Sequence, residues 1–151
     1  MQLTLYTDYG LRLLVYLAAL PAGERANIDT VSETFNVSRN HINKVVHHMG
    51  RLGWINTRRG KGGGFYLDID PAKLNLAEIV TALEPAMLAV DCYEPQCVLL
   101  PTCKLKGVLA SAMNAFVEEL RQYTLADVSN SPAELVRVLG LDEQAFVSTP
   151  N

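Results

Sequence analysis

NVSRNHINKVVHHMGRLGWINTRRGKGGGFYL, residues Asn36–Leu67, decides the fold. Asn36-Val37 reads as a tight turn, and Ser38 as the N-cap of a helix over Arg39–Leu52, since its hydroxyl can accept from a first-turn N–H. Ile42, Val45, Val46, Met49 and Leu52 place apolar side chains on one helical face. Arg39, Asn40, Asn43, Lys44, His47, His48 and Arg51 occupy the other, and Gly53 suits the position just past the end. Trp54–Arg58, the glycine-rich tip Arg59–Gly64 and Phe65–Leu67 then read as a positively charged β-hairpin. A short helix over Asp29–Phe35, capped by Asp29, precedes the turn. Two helices joined by a short turn, followed by a basic hairpin, make a helix-turn-helix with a wing. A nucleotide phosphate loop is excluded, because the glycines run into a strand and match neither G-x-G-x-x-G nor G-x-x-x-x-G-K-[ST].

Working outward, Asp8–Leu20 carries a 3.6-period stripe ended by Pro21 and Gly23, and Leu76–Leu83 is a short helix before Glu84-Pro85. From Thr102 to Leu125 the apolar pattern is helical again, for about 35 Å at ~1.5 Å per residue. That length exceeds what a small winged-helix body covers. The stripe therefore predicts a seam with a two-fold mate, against the plainer reading of a core helix in one larger domain. The expected fold is mainly α. It comprises a winged helix-turn-helix DNA-binding domain over 1–84, a cysteine-containing loop over 85–103, a dimerisation helix over 102–128, and a tail over 129–151. The tail holds a weak helix near Ala133–Leu139 and a frayed end.

Composition agrees with a globular chain: 151 residues, 49% hydrophobic and 19% charged. The run Leu13–Leu20 is too short to span a bilayer, so no membrane role is expected. No signal peptide is legible, and three cysteines are an odd number for a disulfide framework. A cytoplasmic location follows as the expectation. The net charge of −3 conceals an asymmetry. Residues 1–75 hold nine Lys/Arg against six Asp/Glu, and residues 76–151 hold four against ten. Thr34–Leu67 has six basic residues, no acidic one and all three histidines. Such a run is a solvated face or a polyanion site.

For double-stranded DNA, the start of the recognition helix supplies the base readers. Arg39 suits guanine and Asn40 or Asn43 adenine, with His41 beside them. Ser38, Lys44 and Arg51 suit phosphates, and Arg58, Arg59 and Lys61 of the wing suit the backbone or a narrow minor groove. His47 and His48 read more readily as solvated histidines than as contacts.

All three cysteines fall in one window, Cys92-x4-Cys97-x5-Cys103, which also holds Pro95 and Pro101. Three soft sulfur donors on one loop fit an iron–sulfur cluster, zinc, or a metal-free thiol switch. Zinc commonly recruits histidine, and none lies near this loop. Lys104 and Lys106 put positive charge beside the last cysteine. A cysteine enzyme would need C-x-x-C at a helix start, or a cysteine with base and orienting acid; neither pattern is present, so the chain does not read as an enzyme.

Six segments together carry a family resemblance. They are Thr7-Asp8-Tyr9-Gly10-Leu11-Arg12, Val37-Ser38-Arg39-Asn40-His41, Arg59-Gly60-Lys61-Gly62-Gly63-Gly64, Leu83-Glu84-Pro85, the three-cysteine loop, and Tyr123-Thr124-Leu125-Ala126-Asp127. Over residues 1–128 the chain resembles the winged-helix iron–sulfur transcription regulators that include IscR and NsrR, and most of all the NsrR-type nitric-oxide-sensing repressors. The resemblance implies a homodimer on palindromic operator DNA. It also implies a [2Fe–2S] or [4Fe–4S] cluster on Cys92, Cys97 and Cys103, and release of DNA on exposure to nitric oxide. An IscR-type redox regulator and a zinc or thiol-switch regulator remain as alternatives. IscR-type proteins carry a histidine three residues after the last cysteine, where this chain has Lys106. Asp8, which the resemblance sets near the partner's cysteine loop, is the candidate fourth ligand; its plainer role is an N-cap.

Overall fold

The computed structural model describes residues 2–21, 23–60, 62–130 and 132–141. Helix α1 spans Leu5–Ala19. It begins before the expected Asp8 because Thr4, not Asp8, is its cap: the Thr4 side chain accepts from the Thr7 N–H at 3.3 Å. Asp8 lies in the first turn instead. Helix α2 spans Ile28–Phe35 and is capped by Asn27 rather than Asp29. It ends at Asn36, whose left-handed backbone (φ 50°, ψ 47°) Asn tolerates better than most residues. Helix α3 spans Arg39–Arg51 with Ser38 as its cap, as the sequence predicts. Gly53 (φ 76°) closes it, with Gly53 N–H donating to Gly50 O and Trp54 N–H to Met49 O, the paired bonds of a Schellman ending.

The wing follows. Strand β1, Ile55–Arg58, pairs antiparallel with β2, Gly64–Leu67, in the register Ile55↔Leu67 to Arg58↔Gly64. A single bridge between Ala26 and Phe65 adds a third line to the hairpin. Gly64 is required there, because a Cβ would sit 2.4 Å from the Ala26 carbonyl oxygen.

A 3₁₀ turn at Pro71–Lys73 leads to α4, Leu76–Leu83, which has the predicted bounds. The core gathers Leu13, Leu14 and Tyr16 of α1, Val31 of α2, Ile42, Val45 and Met49 of α3, Trp54, Ile55 and Phe65 of the wing, and Ile79 of α4. Burial of each large apolar side chain contributes roughly 1.5–3 kcal/mol. Gly10 is the tightest junction: a Cβ there would lie 2.4 Å from Leu83 Cδ1 and 3.0 Å from Met49 Cε, so α1, α4 and α3 meet without slack.

No helix or strand lies between Leu83 and Lys104. Helix α5 runs over Lys104–Leu120, 17 residues and about 26 Å at ~1.5 Å each. It stops short of the predicted Leu125. Arg121 to Thr124 turn back toward α4, where the Leu76 N–H donates to Tyr123 O at 2.9 Å and the Leu125 N–H to Leu74 O at 2.8 Å. Thr124 and Asp127 then form a reciprocal capping box on the short helix α6, Leu125–Val128. Helix α7, Pro132–Val138, packs against α1 and Leu141 is buried, so the described part of the tail joins the body. The rest of the expected frayed end lies outside the described residues.

Candidate DNA interface and cysteine loop

The capped start of α3 presents the residues that the sequence singles out. Ser38, Arg39, Asn40, His41, Asn43, Lys44 and Arg51 are all exposed, as are Arg58 and Arg59 of the wing. Lys61 lies outside the described residues. His47, Arg51, Asn56 and Thr57 line a groove between α3 and the hairpin. Helix and wing therefore offer cations and amides on one continuous surface.

Three of these side chains are already engaged. Arg39 Nη1 pairs with Asp29 Oδ1 at 2.6 Å, tying the reading helix to α2. Ser38 Oγ accepts from the His41 N–H at 3.4 Å, so its hydroxyl serves the cap. The His41 ring packs on Tyr9, with centroids 5.8 Å apart. His48 is not a groove residue: its Nδ1 lies 2.9 Å from the Tyr6 hydroxyl and its ring stacks on Tyr6. Burial raises the Tyr6 hydroxyl above its ordinary pKa, which keeps it neutral and able to donate. Arg25, which the sequence reading missed, hydrogen-bonds the Gly62 carbonyl at 3.1 Å and lies over the Tyr66 ring, bracing the wing tip. These pairings join residues far apart in sequence, so no local pattern announces them.

In the loop, all three cysteines are free and half-buried. Asp91 Oδ1 accepts from the Tyr93 and Glu94 N–H groups, and the Cys97 N–H donates to Cys92 O at 3.0 Å. Cys103 sits at the N-cap of α5 but its sulfur makes no capping hydrogen bond. Lys106 Nζ donates to the Tyr93 hydroxyl at 2.8 Å and lies 4.6 Å from that ring's centre, bridging the two ends of the loop. The Tyr93 bond holds Lys106 above its ordinary pKa, and the nearby Cys92 and Cys103 act in the same direction.

Among the described residues no three His, Cys, Asp or Glu side chains converge closely enough to hold a metal ion. By donor type the three sulfurs fit an iron–sulfur group. Closing around one would require the three sulfurs to come closer together than they stand here. Asp8 joins no such group within one chain; Arg12 holds its carboxylate at 2.8 Å.

Around this loop the surface is apolar. Leu88, Val90, Tyr93, Val98, Leu99, Leu105 and Val108 are each at least 47% exposed, and only Met113 of α5 is buried. Among the described residues no helix is long and apolar enough to cross a membrane.

Known proteins share this organisation. The chain is 40% identical to the HTH-type transcriptional regulator NsrR of Bacillus subtilis (strain 168), covering 95% of this chain and all of that protein. It is 42% identical to the regulator of the same name from Shouchella clausii (strain KSM-K16), covering 85% and 88%. The fold matches Staphylococcus aureus CymR with a TM-score of 0.69 at 21% identity, covering 83% of this chain and 96% of that one. It matches T. potens IscR with a TM-score of 0.68 at 19% identity, covering 99% and 94%. These relatives are regulators, not enzymes, and the sequence profile of iron-dependent transcriptional regulators matches residues 3–131. With a winged helix-turn-helix for DNA and a relative of that identity along nearly its whole length, the chain belongs to the Rrf2 family of transcriptional regulators.

Proposed function

We propose that this protein is a homodimeric repressor that binds operator DNA and releases it in response to nitric oxide, through an iron–sulfur cluster held by Cys92, Cys97 and Cys103. The observation that carries the reading is the junction of two surfaces in one chain. A packed body displays an amide- and cation-bearing helix and wing. A loop with three uncommitted sulfurs leads directly into a helix whose apolar flank is uncovered. The names of the relatives support the same reading.

The uncovered flank, with Leu105 and Val108, faces its own copy across a two-fold axis, which sets the two reading helices at half-site spacing. Asp8 would complete the donor set from the opposite subunit, giving up its pairing with Arg12. An iron–sulfur group bound there supplies iron reactive toward nitric oxide. Cys103, at the N-cap of α5, would tie the start of that helix to such a group, and loss of the tie would free the helix and with it the spacing of the two copies of α3.

The test is an anaerobic absorption spectrum with iron and sulfide counts, paired with operator binding before and after nitric oxide. Stoichiometric iron and sulfide, with affinity falling on treatment, is the expected result. Equal affinity before and after treatment overturns it.

A further inference from the structure

Immediately before the cysteine loop, at the end of α4, stands a carboxylate that grips the far end of the chain. Glu84 accepts from the Thr4 N–H at 3.3 and 3.2 Å on its two oxygens, from the Thr4 hydroxyl at 3.0 Å, and from the Thr7 hydroxyl. Thr7 is fully buried. Burial raises the Glu84 pKa, but the hydrogen bonds from Thr7 and Thr4 outweigh it and hold the group below its ordinary value, hence ionised. A charged acceptor with several donors is the stronger kind of hydrogen-bonding site.

The position of this clamp matters more than its strength. Pro85 and the cysteine loop follow Glu84 directly, and Asp8 follows Thr7 directly. From the same turns of α1, Tyr6 reaches His48 and Tyr9 reaches His41, both on α3. At Gly10 the contact with Leu83 and Met49 leaves no space to absorb a displacement. The base of the loop is thus joined to the first turns of α1 by Glu84, and those turns to the reading helix by Tyr6 and Tyr9.

We propose that Glu84 is a positioning residue that transmits the state of the cysteine loop through α1 to the DNA-reading helix. It acts through Thr4 and Thr7. The inference rests on the proposed cluster-dependent switch and adds the part that carries it.

The experiment compares wild type, Glu84→Gln and Thr7→Val as full-length protein. Gln keeps the shape but has one acceptor oxygen where the carboxylate has two. The readout is the ratio of operator affinities of cluster-loaded and nitric-oxide-treated protein, measured alongside iron content and melting temperature. A merely structural Glu84 lowers the melting temperature and both affinities together, leaving the ratio at its wild-type value. The expected result is a ratio reduced at least about fivefold with iron retained. A wild-type ratio in Glu84→Gln overturns the inference while the switch itself stands. Where Glu84→Gln melts too low to assay, Thr7→Val, which removes one donor and keeps the carboxylate, gives the same comparison. Hydrogen exchange on metal-free protein tests the contact chain independently of any switch. Faster exchange in both α1 and α3 supports it, and faster exchange confined to the first turn of α1 overturns it.

Discussion

Between Leu13 and Leu83 the described chain buries twenty apolar side chains; between Leu88 and Val108 it exposes seven large ones. The first stretch has its partners within itself. Helix α1 is wrapped by α3, α4, α6 and α7, and its side chains Leu13 and Leu14 are wholly buried. The second stretch, with the cysteines, has no regular structure before α5 and buries Met113 alone along that helix. A chain that can hide its apolar groups in one half and leaves them out in the other has a second half suited to a partner. The packed apolar core therefore resides in the body, and the uncovered apolar surface in the arm.

That division can be tested from its strongest point to its weakest. Leu14→Ala in the body should lower the unfolding free energy by about 2–5 kcal/mol, read by chemical denaturation. A loss as small as that of an arm residue would refute the division. Asn40→Ala should weaken operator binding by about 1–3 kcal/mol and relax discrimination at one base pair, measured by titrating single-base operator variants. Its melting temperature should stay at the wild-type value. Thr124→Ala removes the box that seats α6 against the body, a loss of about 1 kcal/mol by denaturation. Val108→Ala in the arm should change monomer stability by no more than about 0.5 kcal/mol. It should nevertheless raise the dimer dissociation constant in sedimentation, so one residue separates the two regions. Acidification supplies the smallest effect. Glu84 has a depressed pKa in the fold, so its contribution is present above the unfolded carboxylate range and fades as pH falls through the folded value. Glu84→Gln should flatten that acid limb of a stability–pH curve.

The same contrast explains which parts were legible in the sequence. Helix α3 and the hairpin were, because Ser38, the spacing from Ile42 to Met49, and Gly53 are all local signals. Helix α4 came out with its observed bounds for the same reason. The start of α1 did not, since Leu5 is 62% exposed and adds nothing to the apolar stripe. Its cap Thr4 is moreover fixed by Glu84, eighty residues away. The helix predicted through Leu125 is interrupted although its periodicity continues, because Asn75 captures the carbonyls of Arg121 and Tyr123. Of the site, the exposed face of α3 was readable, while the pairings Arg39–Asp29, His48–Tyr6 and Lys106–Tyr93 were not. Each joins elements that only the tertiary fold brings together.

The pairing of Arg39 with Asp29 has a consequence for how the protein meets DNA. A polyanion that engages Arg39 does not encounter a bare cation shadowed by small mobile ions; it displaces a carboxylate already in place. The exchange costs the Arg39–Asp29 pair, which at this exposure is worth no more than about 1 kcal/mol. On the proposed reading, in which Arg39 meets a base edge, Asp29 is therefore a weak internal competitor that favours sites offering that edge.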